Sequence, residues 1–301
     1  MESGLCRARG AWSDAAARYG SLLLLLAGQT CLVLILVHMV REAWPAWSRE
    51  GAPGLADFLF REPWSPLEEP PRLGVFHAWV STLLISGLSL LVAVPLGFGI
   101  AFFLAEVAPR SVQAVLQPCL ELLAGIPAVV YGFFGYVTLV KFCEWRFRMP
   151  TGECVLAAGL ILAVMSLPFV ASTAAEALRA VPRELREAAL ALGVTRWHAL
   201  RRVVVPCALP GLFAAVALGL ARSLGETLAV LMLSGNSVAP PEGLLSRAQP
   251  ITALIATELG EAELNSLKYH TLFASGWLLL AVVMGINVLI WGLKRRLIRH
   301  G

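Results

Sequence analysis

The segment EAALALGVTRWHALRRVVVP, residues Glu187 to Pro206, lies between two long apolar runs of the chain. Pro182 and the polar residues after it predict the start of a short helix, and Gly193 predicts its end. A second short helix is predicted to begin after Gly193 and to run to Pro206. By composition alone, this basic, alanine-rich segment is a helical hairpin that connects two membrane spans.

The whole chain has the composition of a helical membrane protein. Of its 301 residues, 58% are hydrophobic and 15% are charged, with a mean hydropathy of +0.74, whereas soluble domains are roughly half apolar and a quarter charged. The apolar runs are continuous rather than alternating, which excludes a β-barrel, and the net charge of +4 indicates no nucleic-acid partner. Six runs are long enough for a crossing of about 20 residues. They lie near 20–40, 76–105, 113–142, 152–171, 207–234 and 272–293.

Charge distribution and proline content refine this topology. Lys and Arg residues are more frequent on one side of the spans, which predicts cytoplasmic N- and C-termini. The first run lacks a signal-peptide cleavage site and is predicted to be a retained anchor. The third run contains several helix breakers, tolerated where the freed backbone is buried in protein or faces a cavity. The loop 41–75 is predicted to be irregular, and the loop 235–271 to contain a helical part.

The segment at 187–206 is similar to the EAA motif of ABC importer permeases: E-A-A, three residues, Gly, nine residues, an aliphatic, one residue, an aliphatic, Pro. The matching positions are Glu187, Ala188, Ala189, Gly193, Val203, Val205 and Pro206. The resemblance implies docking onto an ATPase, because small residues let a helix lie in a groove while neighbours such as Arg186 and Arg196 pair with charges at its rim. The chain has no G-x-x-x-x-G-K-[ST] motif, so the ATPase is expected to be another chain.

Three further stretches resemble the permease subunits of the high-affinity phosphate importer, the Pst system. They are FLAEVAP (103–109), ELLAGIPAVVYGFFG (121–135) and GLARSLGETLAVLMLSGN (219–236), and the resemblance covers about residues 60–295. The segment ITALIATELGEAE and the long loop after the first span favour the PstC subunit over PstA.

The resemblance implies an all-α membrane protein with six transmembrane helices in the type I ABC importer permease fold. It also implies a multi-pass subunit of the bacterial cytoplasmic membrane that translocates inorganic phosphate, without a cofactor or ATPase of its own. The expected partners are a second homologous permease, two ATP-binding subunits, a periplasmic phosphate-binding protein and membrane lipid. The expected domains are 1–75 (N-terminal tail, first helix and periplasmic loop), 76–296 (transmembrane core with the coupling loop 173–206) and 297–301 (cytoplasmic tail).

Arg222 and Glu226 place charge inside the fifth apolar run. A charged side chain at mid-membrane costs at least ~2.5–3.5 kcal/mol, so it is expected to face the bundle interior with a partner. The two residues are four apart and would share one helix face. Two interpretations remain: a salt bridge that fixes helix packing, or a guanidinium that binds passing phosphate, held in place by Glu226. In the family resembled, the arginine and glutamate of R-x-L-G-E-T are implicated in phosphate passage, and they correspond to Arg222 and Glu226.

Glu121, in the broken third run, is the third internal charge and the last predicted pathway residue. It could pair with an arginine across the bundle or cap backbone freed by Pro127. Cys143 and Cys154 flank a short outside loop, where a disulfide is a further prediction. No metal-binding spacing is found among the cysteines and histidines.

Three alternatives remain open. One is a permease for another oxyanion, such as sulfate, molybdate or phosphonate. The second is a stand-alone secondary transporter, in which the EAA similarity would be accidental. The third, a membrane-embedded enzyme, would need converging catalytic groups that the sequence does not offer.

Overall fold

A computed structural model describes residues 2–48, 54–60, 63–69 and 71–299. The described chain is almost entirely helical, with one two-stranded antiparallel sheet, β1 (Trp64–Ser65) and β2 (Arg72–Leu73). The helices are α1 (Glu2–Ala43), α2 (Pro45–Ser48), α3 (Leu55–Phe60), α4 (Phe76–Phe102), α5 (Arg110–Gly125), α6 (Ala128–Gly135), α7 (Lys141–Phe147), α8 (Val155–Arg179), α9 (Arg183–Ala191), α10 (Arg196–Ala199), α11 (Val205–Gly225), α12 (Leu228–Leu233), α13 (Ile251–Glu258) and α14 (Leu267–Arg299). Single π-helical turns at Phe103–Val107, Tyr136–Val140 and Leu200–Val204 extend α4, link α6 to α7, and link α10 to α11.

Five of the described helical segments are long and apolar enough to cross a membrane, and a bent pair provides a sixth span if its halves are counted together. This agrees with the prediction of an all-α membrane protein with six spans. The side on which each terminus lies, and the division at 75 and 296, remain predictions. Of the predicted tail 297–301, the last two residues lie outside the described part of the chain.

The third span is more sharply bent than predicted. Instead of one broken helix over 113–142, α5 and the segment Ala128–Phe147 meet at 90°. The bend occurs at Ile126, whose ψ of 128° is extended, because a residue that precedes proline is driven out of the helical region. The two halves therefore run in different directions, and α5 packs against the end of the second span and against α8 through Leu120 and its neighbours.

The fifth span also departs from the prediction of one helix over 207–234. The helix starts earlier, at Arg196, and continues through Pro206 without a break. Proline lacks an N–H and crowds the preceding turn, and the π turn at Leu200–Val204 lies directly before it. The helix then ends at Gly225, Glu226 is extended with a ψ of 131°, and α12 resumes at Leu228.

The loop 41–75 is more ordered than predicted, apart from its residues outside the described ranges. It contains α2, α3 and the sheet, in which Trp64 pairs with Leu73. Phe58, Trp64 and Leu73 are buried in a cluster with residues of α4, α13 and α14, so burial of apolar side chains orders this segment. The helical part predicted within 235–271 is present as α13.

Helix α8 is the centre of the bundle and packs along α4 on one side and α11 on another. Small residues allow this close approach: a Cβ on Gly159 would lie 2.7 Å from Leu88 Cδ2, and one on Gly219 would lie 2.7 Å from Val170 Cγ2. Substitution of such glycines therefore forces neighbouring side chains to move.

We expect Gly135→Ala to destabilise the protein by about 1–3 kcal/mol, the usual cost of overpacking. The new Cβ would lie 2.6 Å from Ile161 Cγ1, on α8, and 3.1 Å from Leu233 Cδ1. Thermal unfolding of the purified protein in detergent measures the effect. Gly87→Ala is the matched control, since no atom lies within 4 Å of its added Cβ, and an equal loss in both variants would contradict the expectation.

Candidate functional site

Arg222 lies in the last turn of α11, and Glu226 is the first residue beyond that helix. Arg222 Nη2 lies 3.7 Å from Glu226 Oε2, and the two side chains are 33% and 7% exposed. The predicted pairing is therefore present, although the helix ends between the two residues rather than carrying both on one face. The pair stands at the break in the fifth span.

The guanidinium of Arg222 is only partly occupied by this pairing. At 3.7 Å the contact with Glu226 is an ion pair and exceeds the length of a hydrogen bond. The Cζ atom lies 5.0 Å from the centre of the Phe169 ring, a cation–π distance. The buried Nε has no hydrogen-bond partner among the described residues. Donors thus remain for an anion.

Glu226 is held by the backbone around the break. Its Oε1 accepts a hydrogen bond from the Ala229 N–H at 3.5 Å, and its carbonyl oxygen accepts one from the Thr252 hydroxyl at 2.8 Å. The carboxylate is therefore positioned from α12, and the backbone of the same residue is held from α13. A small cavity beside it is lined in part by the hydroxyl-bearing residues Thr82, Ser86, Ser223 and Thr252.

Hydroxyl groups join the three central helices next to this site. Ser223 Oγ of α11 lies 3.1 Å from Ser89 Oγ of α4 and 3.1 Å from Ser166 Oγ of α8. All three side chains are buried. Such hydrogen bonds hold membrane helices together, so these serines fix the frame in which Arg222 sits.

Glu121 does not join the Arg222–Glu226 pair. It lies on α5, is exposed, and forms no ion pair within the described residues. It borders an open groove with Pro118, Gly125 and Pro127. The backbone freed near Pro127 is satisfied differently, because the Tyr131 hydroxyl donates to the Leu123 carbonyl at 2.9 Å. A pathway role for Glu121 stays a prediction.

The coupling loop has the predicted helix, turn and second helix. Helix α9 begins after Pro182, and Gly193 follows it with a φ of +78°, a left-handed conformation that favours glycine. Thr195 caps α10 by accepting a hydrogen bond from the His198 N–H at 3.3 Å. The second helix does not stop at Pro206 but leads into α11.

The residues predicted to dock the ATPase are mostly on the surface of this loop. Ala189 is buried, whereas the others are exposed: Glu187, Ala188, Gly193, Arg196 and Pro206. Apolar side chains near them are also exposed, including Leu192 at 83% and Trp197 at 69%. An exposed apolar surface with small residues at its centre is typical of a protein interface.

Arg186 was expected at the rim of the docking surface, and the structure contradicts this. Its Nη1 lies 2.5 Å from Glu106 Oε1, and its Nη2 donates to the Leu178 carbonyl oxygen at 2.6 Å. Both acceptors belong to the permease itself, at the ends of α4 and α8. The guanidinium is thus engaged by acceptors within the permease.

Cys143 and Cys154 are both buried and free in the structure. Both belong to one buried cluster of side chains, and the disulfide stays a prediction. Non-reducing electrophoresis after thiol blocking tests the bond. Among the described residues, no group of three or more His, Cys, Asp or Glu could hold a metal ion.

Sequence inspection missed Phe169 and Thr252 as parts of the site. Phe169 follows Pro168 on α8 and stacks on Arg222, and Thr252 on α13 binds the Glu226 carbonyl. The sequence around Phe169 or Thr252 does not indicate either contact, because Arg222 and Glu226 are distant from them along the chain. Tyr131 was also missed: its hydroxyl satisfies the backbone at the 90° bend.

Known proteins with similar sequences are membrane components of transport systems. Residues 93–300 match the family described as the binding-protein-dependent transport system inner membrane component. The chain is 40% identical over 240 residues to the probable ABC transporter permease protein YqgH of Bacillus subtilis, covering 80% of this chain and 78% of the relative. It is 34% identical over 277 residues to the phosphate transport system permease protein PstC of Haemophilus influenzae, covering 86% and 85% of the two chains.

Among solved structures, a bacterial alginate ABC transporter in complex with an alginate pentasaccharide-bound periplasmic protein aligns with a TM-score of 0.64. The alignment covers 95% of this chain and 97% of that chain at 20% identity, so it concerns the fold alone, which is that of type I ABC importer permeases. The chain therefore belongs to the family of inner membrane components of binding-protein-dependent transport systems, and within it to the permeases of the PstC type.

Proposed function

We propose that this chain is the membrane permease subunit of an ATP-driven importer of inorganic phosphate. The observation that carries the proposal is Arg222, whose guanidinium is partly buried at the break in the fifth span and only partly neutralised by Glu226. Arginine binds phosphate oxygens through parallel N–H donors. The relatives named PstC are phosphate transport permeases, which supports phosphate over other oxyanions.

The geometry of the pair suits transient binding better than a fixed salt bridge. A lock between helices would favour a short, bidentate contact, whereas Arg222 and Glu226 are 3.7 Å apart. Conduction needs binding that is weak enough for release. A buried carboxylate beside the arginine lowers its net attraction for an anion, so Glu226 both positions Arg222 and limits how tightly phosphate is held.

The partners follow from the same proposal. The chain is a permease and no ATPase, so the exposed surface of α9 and α10 receives one of two ATP-binding subunits that hydrolyse ATP. A second homologous permease completes the translocation path, and a periplasmic phosphate-binding protein delivers the substrate. We place this assembly in the bacterial inner membrane, with no cofactor bound by this chain.

Radiolabelled phosphate uptake by the complete complex in liposomes tests this function. We expect uptake that requires ATP and the binding protein and that is not competed by excess sulfate, molybdate or phosphonate. Preferential uptake of one of those oxyanions would replace the proposed substrate. Uptake without ATP by the permease alone, with no ATPase co-purifying, would indicate a secondary transporter instead.

A further inference from the structure

We propose that Glu106 and Arg186 are positioning residues that link the coupling helix α9 mechanically to α4 and α8. The inference rests on the proposed function, because it requires an ATPase subunit that moves α9. We call this ion pair the Glu106–Arg186 link. Without it, movement of α9 would reach α4 through the apolar packing of Leu200 and Val204 but without a direct contact from α9 to Glu106.

The link joins three helical elements through one planar group. Arg186 on α9 contacts the Glu106 carboxylate at 2.5 Å and the Leu178 carbonyl at 2.6 Å. Glu106 lies in the π turn that ends the second span, and Leu178 lies one residue before the end of α8. The fork of the guanidinium is rigid, so the ends of the two spans are held at fixed positions relative to α9.

Other contacts between α9 and the end of α4 are few. A cavity of about 470 Å³ beside the link is lined by Glu106, Arg186, Arg196 and Trp197 among others, so α10 does not fill the space there. Gly193 separates α9 from α10. The ion pair is therefore a polar connection from α9 to the end of the second span, beside the apolar cluster in which Leu200 and Val204 pack with Ala101 of α4.

The ends of α4 and α8 are also joined to each other. Arg179 Nη2 donates to the Leu104 carbonyl at 3.5 Å, and its Nη1 contacts Gln117 of α5 at 3.4 Å. A displacement that enters through Arg186 would thus be shared by both spans and by α5. Packed elements of this kind move as rigid bodies.

The Glu106–Arg186 link is partly buried, so its loss should have a measurable effect. The Arg186 and Glu106 side chains are 23% and 19% exposed, whereas the ion pairs that contribute little are those in full contact with solvent. Removing one partner leaves the other charge poorly solvated. Loss of the link should therefore alter coupling as well as local order.

The test is the number of phosphate ions imported per ATP hydrolysed by the reconstituted complex. We expect this ratio to fall about 3-fold in Glu106→Gln. It should fall about 10-fold in Arg186→Gln, because that variant also loses the contact with the Leu178 carbonyl. The double variant should be no worse than Arg186→Gln, because the two residues act as one unit. Arg186→Lys keeps the charge but cannot hold both acceptors, and an intermediate ratio is expected.

The matched control is Glu258→Gln. Glu258 and Lys268 form an ion pair of 2.6 Å with both side chains 22% exposed, located where α13 precedes α14 and away from α9. Its ratio should equal that of the wild type. Unchanged ratios in Glu106→Gln and Arg186→Gln, or a double variant with the product of the single effects, would overturn the link. A wild-type complex that imports no phosphate would instead refute the proposed substrate.

A second measurement is independent of the substrate. Nitroxide labels at the exposed positions Val107 and Glu184, in a background without native cysteines, report the distance between the end of α4 and α9 in the complex. We expect the same narrow distance distribution with and without ATP in the linked protein, and a distribution that broadens or shifts on ATP addition in Glu106→Gln. A narrow, ATP-independent distribution in that variant would show that the link carries no movement.

Discussion

Replacing Arg222 with glutamine is expected to reduce ATP-dependent phosphate uptake by about 10- to 150-fold, because a hydrogen bond from a charged donor to phosphate is worth about 1.5–3 kcal/mol. Glutamine preserves much of the volume but removes the positive charge and the parallel N–H donors. The 7% exposed carboxylate of Glu226 would then face the path without its cation, and a negative charge there repels phosphate. Arg222→Lys retains charge without the fork, so its uptake should be intermediate.

Two accompanying measurements separate passage from assembly. Co-purification of the ATPase subunits and basal ATP hydrolysis should stay near wild type in Arg222→Gln, since the residue lies far along the span from the coupling loop. Arg247→Gln is the control: Arg247 pairs with Glu153 at 3.4 Å but is 51% exposed, and exposed pairs contribute little. Full uptake by a normally assembled Arg222→Gln complex would contradict the pathway role and leave Arg222 as a packing residue.

The parts of the fold that could be predicted are those encoded by local pattern. Apolar runs locate the spans, and Pro182 and Gly193 bound α9 as expected. The exact places where spans three and five break were missed. At Ile126 the cause is local, since the residue precedes proline, but several other breakers nearby offered equal alternatives. At Gly225 the break is stabilised by the nearby Ala229 N–H and by Thr252, which lies 26 residues from Glu226 and outside any local sequence window.

In the candidate site, too, contacts between residues close in sequence could be predicted and contacts between distant helices could not. The spacing of Arg222 and Glu226 predicted their contact on the assumption of one continuous helix; the contact is present although Glu226 is extended and lies just beyond the helix. The spacing could not predict Phe169, which comes from another helix. For Arg186, its place beside the small residues of the EAA segment indicated pairing with charges at the rim of the ATPase groove. Only the three-dimensional position of Glu106, 80 residues earlier in the chain, shows that it turns inward.

Replacing Ala188 with tryptophan is expected to abolish phosphate uptake by preventing the ATPase from docking. Ala188 is exposed on α9, at the centre of the surface that we propose enters a groove of the ATP-binding subunit. A bulky side chain would hold the helix out of that groove, and overpacking by about 1–3 kcal/mol corresponds to roughly 5- to 150-fold weaker association. Co-purification of the ATPase with tagged permease should fall accordingly.

The exposed position of Ala188 allows an effect on ATPase docking to be separated from an effect on folding. Ala188 contributes nothing to the buried core of the permease, whereas the next residue, Ala189, is buried, so Ala188→Trp should leave the thermal unfolding of the permease unchanged. Ala239→Trp, at an exposed position of the loop between α12 and α13, controls for the cost of an added surface tryptophan and should retain ATPase binding. If the Ala188→Trp permease still bound the ATPase normally, the small residues of α9 would not lie at the interface. Docking would then have to depend on the exposed Leu192 and Trp197 farther along the loop.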